Sequence, residues 1–259
     1  MQQLDVKNKE LIVELAIREK INVEFKNYVE ELNKSLCDYI VFNEIEKNDI
    51  VLIFFAGFTE NFYGLKRPNS YKGKSIYFRD KCDSWYENKL DEITKIINLH
   101  IITSNKIVLI GQSMGAYAAL YCSSFINNSI CLAFSPQTFN RVHVTLNSKI
   151  LRNDPPYCLI NLHDTLTKNK NDSKKYIIVG TSEHYSPSKR FWGDLLFAGY
   201  MLHVPNINVI ITEQNTHIIY GLIIFDSLLD IILKKYDILY INMTNGSHIL
   251  NEELIYAKK

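Results

Sequence analysis

The sequence predicts an α/β chain with a mostly parallel central sheet and helices on both faces. Three observations carry this expectation. Short apolar runs recur along the chain: IVLIFF at 50–55, IVLI at 107–110, ICLAF at 130–134, KYIIVG at 175–180 and INVIIT at 207–212. Such runs lack the alternation of a half-exposed strand, so they suit strands buried on both faces of a parallel sheet. Longer stretches with helical spacing lie between them, and no repeat or low-complexity linker breaks the alternation. At 259 residues, 47% hydrophobic and 22% charged, the chain is long enough for one sizeable core and reads as a single domain over 1–259.

Taken in order, residues 5–35 carry apolar positions at mixed spacing that leave helix and strand both open. Residues 39–45 (YIVFNEI) alternate weakly and end in a turn-like Glu46-Lys47-Asn48-Asp49. The strand at 50–55 runs into Ala56-Gly57-Phe58-Thr59, where glycine permits a tight loop with exposed N–H groups. A short strand at 75–78 ends at Arg79-Asp80, and helical spacing then covers 85–102. The strand at 130–134 is followed by Ser135-Pro136-Gln137. Residues 138–175 are polar and contain Pro155-Pro156; they read as helices and loops over one sheet edge, a small lid being one option. A helix from about position 192 carries Asp194, His217 follows the strand at 207–212, and 218–236 reads as a long amphipathic helix. The tail to Lys259 is uninformative.

The charge balance excludes some functions. A formal net charge of +1 gives no general attraction to nucleic acid or to an anionic membrane. The first residues, MQQLDVKNKE, lack the basic-then-apolar layout of a signal peptide. The longest apolar tract, 218–233, is broken by Asp226 and Asp230 and is too short for a membrane span. Five cysteines form no C-x-x-C pair, which points to a reducing cytoplasm, and Cys122 and Cys131 read as packing residues. His184 and His203 stand alone, no cluster has metal-ligand spacing, and no metal is expected.

The chemistry concentrates at 106–125, KIVLIGQSMGAYAALYCSSF. Here an apolar strand passes through Gly111-Gln112-Ser113-Met114-Gly115 into a helix-favouring segment. G-x-S-x-G at a strand-to-helix junction makes a sharp turn that lifts the serine hydroxyl above the sheet. A serine helix cap is the alternative, but capping does not explain glycine on both sides. A serine needs a base to take its proton and a carboxylate to orient that base. His217 stands where a base is expected, beyond the last strand, although it could instead cap the following helix. Two residues compete as the acid: Glu183, after the penultimate strand, and Asp194, at the start of the next helix, where the helix dipole alone would favour it. Two backbone N–H groups, of Met114 and Phe58, suit an oxyanion hole.

These residues resemble the serine α/β-hydrolase superfamily, where the loop after the third strand often reads His-Gly-Phe; here it reads Ala56-Gly57-Phe58. More narrowly, FFAGF (54–58), YFRD (77–80) with Trp85-Tyr86, GQSMGAYAAL (111–120), FSPQT (134–138), Asp194-x-x-Phe-Ala and His217 are similar to bacterial α/β-hydrolase-like proteins of capsule and surface-glycan biosynthesis. The resemblance spans about 50–235. In that group the acid opens a D-x-x-H-A helix, so the resemblance selects Asp194 over Glu183, with Phe197 in place of the histidine. It implies polysaccharide O-acetylation through an acyl-serine, with acetyl-CoA as acyl donor, a glycan as acceptor and no bound cofactor. Arg141, Lys149, Arg152, Lys168 and Lys170 would then meet CoA phosphates or an anionic glycan, or simply form a solvated charged surface. A different class keeps the fold without turnover, as a binding or assembly protein in glycan export or adhesin modification. The presence of serine, histidine and an acid favours the enzyme.

Overall fold

The computed structural model describes residues 3–6, 23–35, 37–42, 50–57, 61–62, 74–82, 84–86, 88–101, 106–138, 161–180, 194–212 and 240–241. Strands are β1 (Gln3–Val6), β2 (Tyr39–Phe42), β3 (Ile50–Phe55), β4 (Lys74–Phe78), β5 (Lys106–Gln112), β6 (Ser129–Phe134), β7 (Lys174–Val179), β8 (Ile207–Thr212) and β9 (Tyr240–Ile241). Helices are α1 (Val23–Lys34), α2 (Leu90–His100), α3 (Met114–Ser123), α4 (Leu162–Lys168) and α5 (Asp194–Gly199).

Among the described residues the strands form one sheet in the order β1-β2-β4-β3-β5-β6-β7-β8-β9. Every pairing is parallel except β2 with β4, so β1 and β2 run against the other seven strands. The apolar runs of β3, β5, β6 and β7 are buried on both faces, whereas in β8 Ile210 is buried but Asn208 and Ile211 are exposed, so two-sided burial does not extend to that strand. Val51, Ile53, Phe55, Leu109, Cys131 and Ala133 join the main core, while Leu52, Phe54, Val108, Ile110 and Leu132 on the opposite face are equally buried. This satisfies the expectation of a mostly parallel, two-sided sheet. The main core also takes in Leu90, Ile93 and Ile97 of α2, most of α3, and Leu162 and Leu166 of α4. Helix α3 is apolar all round and buried throughout, as a helix gripped between neighbours must be.

Three segments differ from the sequence expectation. Helical spacing over 85–102 becomes helix only from Leu90, because Trp85, Tyr86 and Asn88 take positive φ values of 61°, 58° and 60°. In 5–35, where the pattern left both options, the chain forms β1 and then α1. The tail contributes β9, paired with β8. The helix expected at 218–236 and the segment 139–160 lie outside the described residues, while α4 and the start of β7 fall within 161–175.

Strand ends place the site. Phe55 pairs with Gly111, Gln112 with Phe134, and Phe134 lies level with Ile178. Ala56, Ser113 and Ser135 therefore leave the sheet at one edge, the C-terminal edge where ligands of α/β proteins bind.

Candidate active site

Ser113 occupies the turn between β5 and α3 with φ 55° and ψ −116°. A non-glycine residue in this conformation is strained and persists only when its surroundings over-determine it. Three contacts do so. The Ser113 N–H donates to the Phe134 carbonyl at 2.8 Å, and its carbonyl accepts from Tyr117 N–H at 3.1 Å. The glycines supply the third. A Cβ on Gly115 would lie 2.3 Å from the Phe55 carbonyl oxygen and 2.6 Å from that of Ala56, and one on Gly111 would lie 2.2 Å from the Gly115 carbonyl oxygen. Helix α3 thus presses its first turn onto the end of β3 and onto its own strand, and no side chain fits between them. The Ser113 side chain makes no capping hydrogen bond to α3, so the serine-cap alternative fails. Ser113 is half-buried, and Met114, the first residue of α3, is fully buried. The first N–H groups of a helix have no intrahelical partner, which leaves the Met114 N–H suited to an oxyanion.

Opposite the elbow, Gly57 also runs close: a Cβ there would sit 2.9 Å from the Gln112 carbonyl oxygen. The Ala56 N–H donates to Phe78 at 3.0 Å, and the Ala56 carbonyl accepts the Tyr86 hydroxyl at 2.9 Å. Tyr86 belongs to a turn built on Asp80. That fully buried carboxylate accepts the Ser84 N–H at 2.6 Å, the Tyr86 N–H at 2.9 Å and the Lys89 ammonium at 3.1 Å. Burial alone would raise its pKa; the Tyr86 N–H, Lys89 and Ser84 outweigh burial and hold it below the ordinary carboxylate value.

Asp194 opens α5 and is 2% exposed. The FSPQT segment joins it to the elbow. Phe134 takes the Ser113 N–H, Ser135 (φ 47°) donates its N–H to Ile178 at 2.9 Å, and the Thr138 hydroxyl donates to the Phe197 carbonyl of α5 at 3.1 Å. Phe197, which stands where the resembled group has histidine, is buried. The Ser135 hydroxyl and the Gln137 Oε1 are buried without a hydrogen-bond partner among the described residues. Phe58, Glu183 and His217 lie outside the described residues, as do Arg141, Lys149 and Arg152. Residue-by-residue reading missed the structural parts of Tyr86 and Thr138. The YFRD…WY and FSPQT segments signalled that something was there, without saying what. Cys122 and Cys131 are packing residues, as expected; burial pushes each thiol up to about 12.

No protein-family model matches the chain, and no curated protein matches it by sequence. Solved structures do match. The capsule O-acetyltransferase of Neisseria meningitidis serogroup A superimposes with a TM-score of 0.52 at 17% identity, covering 76% of this chain and 91% of that one. A histidine-to-alanine mutant of that enzyme in complex with CoA superimposes with a TM-score of 0.50 at 17% identity, covering 75% and 90%. The fold is that of the α/β-hydrolases. Proteins of the α/β-hydrolase fold that are serine enzymes carry their nucleophile on a strand-to-helix turn, and here the β5–Ser113–α3 turn has that strand–turn–helix form. Among the described residues no helix is long and apolar enough to cross a membrane.

Proposed function

We propose that this protein is a serine-dependent acyltransferase that O-acetylates a bacterial surface or capsular glycan through an acyl-enzyme, with acetyl-CoA as donor. The observation that carries the reading is the strained Ser113 elbow, whose side chain does not cap its helix and whose flanking glycines are required by backbone contacts at both ends. Two further points support it. Asp194 is buried on a helix tied to the elbow through FSPQT, as an orienting carboxylate should be. The same fold is found in a capsule O-acetyltransferase and in its complex with CoA.

In this reading Ser113 Oγ attacks the thioester carbonyl while His217 takes its proton, and Asp194 fixes the tautomer of the imidazole. The oxyanion rests on the N–H groups of Met114 and Phe58. The C–S bond breaks, the thiol leaves with the proton from His217, and an acetyl-serine remains. A sugar hydroxyl then gives its proton to His217 and attacks the acetyl carbonyl, which forms the glycan ester and restores Ser113. Water in place of the sugar makes the same site an esterase, so water exclusion separates the two outcomes.

The test is covalent labelling. Wild type, Ser113→Ala and His217→Ala are treated with a fluorophosphonate probe and, separately, with labelled acetyl-CoA, and the adduct is located by peptide mass spectrometry. Label at Ser113 from both reagents, lost in Ser113→Ala and strongly slowed in His217→Ala, is the expected result. Probe labelling without acetyl transfer indicates an esterase or another acyl donor. No label at Ser113 from either reagent sinks the covalent mechanism and favours a binding or assembly protein.

A further inference from the structure

The turn after β4 is more elaborate than packing requires. Trp85 and Tyr86 are bulky residues at positive φ, with Asn88 alongside, a conformation that such side chains avoid without compensation. The compensation comes from Asp80, whose carboxylate gathers the Ser84 and Tyr86 N–H groups and the Lys89 ammonium. Besides burying Trp85 and Tyr86 in the core, the turn places one hydroxyl. The Tyr86 ring is buried edge-on to Phe55, with centroids 6.0 Å apart, and its hydroxyl reaches the Ala56 carbonyl at 2.9 Å. That carbonyl belongs to the first residue after β3, immediately before Gly57. It also lies against Gly115 at the foot of α3. Because a peptide unit is planar, fixing the Ala56 carbonyl fixes the Gly57 N–H as well, at the point where the chain enters the glycine loop.

We propose that Tyr86 is a positioning residue: held by the Asp80 turn, its hydroxyl fixes the Ala56–Gly57 peptide, from which the loop proposed to carry the second oxyanion donor departs. This inference rests on the serine acyl-transfer reading. A donor displaced by a fraction of an ångström loses much of its effect on a developing oxyanion while ground-state binding is little changed. The hydroxyl therefore acts on acylation rate and leaves substrate affinity alone.

The experiment compares Tyr86→Phe with Tyr121→Phe. The control removes another largely buried phenol hydroxyl, one that donates to Asp91 of α2 at 2.8 Å. Three quantities are read: the rate of fluorophosphonate labelling at Ser113, the inhibition constant of a trifluoromethyl ketone that mimics the tetrahedral oxyanion, and the KM for a p-nitrophenyl ester. For Tyr86→Phe the expected result is about tenfold slower labelling and about tenfold weaker inhibition, with KM unchanged. Tyr121→Phe is expected to lose thermal stability with labelling and inhibition as in wild type. Asp80→Asn, which loosens the turn but keeps the ring, gives a smaller loss of the same pattern, and it carries the comparison if Tyr86→Phe does not fold. Labelling of Tyr86→Phe at the wild-type rate, or equal slowing in Tyr121→Phe, overturns the positioning role while the serine mechanism stands. Absence of labelling in wild type brings down the serine mechanism and this role with it.

Discussion

Gly115 shows at the scale of one residue why the pentapeptide around Ser113 has glycine at its end. Its Cα faces two carbonyl oxygens of another strand at distances no methyl group tolerates. Gly115→Ala should therefore cost about 1–3 kcal/mol, as overpacking does, and should slow Ser113 labelling because α3 must lift off β3. Urea denaturation and probe kinetics check both. Asp80 supplies a pH prediction. Its folded pKa is depressed, so the stabilisation is present above the unfolded carboxylate value of about 4 and is lost as pH falls through the lower folded value. Acid titration of wild type should show part of its stability disappearing only below about pH 4. Asp80→Asn should be less stable at pH 7 and should flatten that acid limb. The pentapeptide itself was legible in the sequence, because a strand and a helix flank it. Tyr86 was not, because its hydrogen bond spans 30 residues and no local pattern encodes it.

At the scale of elements, Arg79, just after β4, ties down the C-terminal end of α1. Arg79, 2% exposed, donates to the Asn33 carbonyl at 2.6 Å, to the Cys37 carbonyl at 2.9 and 3.0 Å, and to the Ser35 carbonyl, with its guanidinium 4.3 Å from the centroid of the Phe62 ring. Cations at a helix C-terminus satisfy carbonyls that the helix itself leaves open. Lysine has no planar fork to serve several carbonyls at once. Arg79→Lys should accordingly lose about 1.5–3 kcal/mol and expose 23–34 to faster amide exchange, measured by mass spectrometry. The same region explains a misreading of the sequence. Helical spacing over 85–102 was genuine, but the carboxylate of Asp80 captures the N–H groups of Ser84 and Tyr86 and delays the helix to Leu90. A distant acceptor outweighs local periodicity. Strands β3 and β5 to β7 were legible because burial on both faces leaves a continuous apolar run, whereas β8 was legible from its apolar residues although Asn208 and Ile211 are exposed. Strands β1 and β9, of four and two residues, are too short for any such signal.

At the scale of the whole molecule, the site exists because three parallel strands end level. The register sets Ala56, Ser113 and Ser135 at one edge, and FSPQT ties that edge to α5 through Thr138. The proposal that Asp194, rather than Glu183, is the orienting acid yields a direct comparison. Asp194→Asn should lower kcat by on the order of 10³–10⁴-fold while Glu183→Gln stays near wild type, assayed by acetyl transfer or ester turnover. Equal, mild losses in both would place the acid elsewhere.

The sequence by itself determined the fold class, the strand–turn–helix around Ser113 and the residue types on which the acyl-transfer proposal rests. Each of these is written in the local spacing of apolar, glycine and nucleophilic residues. Tertiary structure alone decided the order of the strands, the two strands that run against the rest, the backbone contacts that make both glycines of the elbow necessary, and the burial of Asp194. Those features depend on hydrogen bonds and close approaches between segments tens of residues apart, and local spacing carries no record of which distant segment a residue will meet.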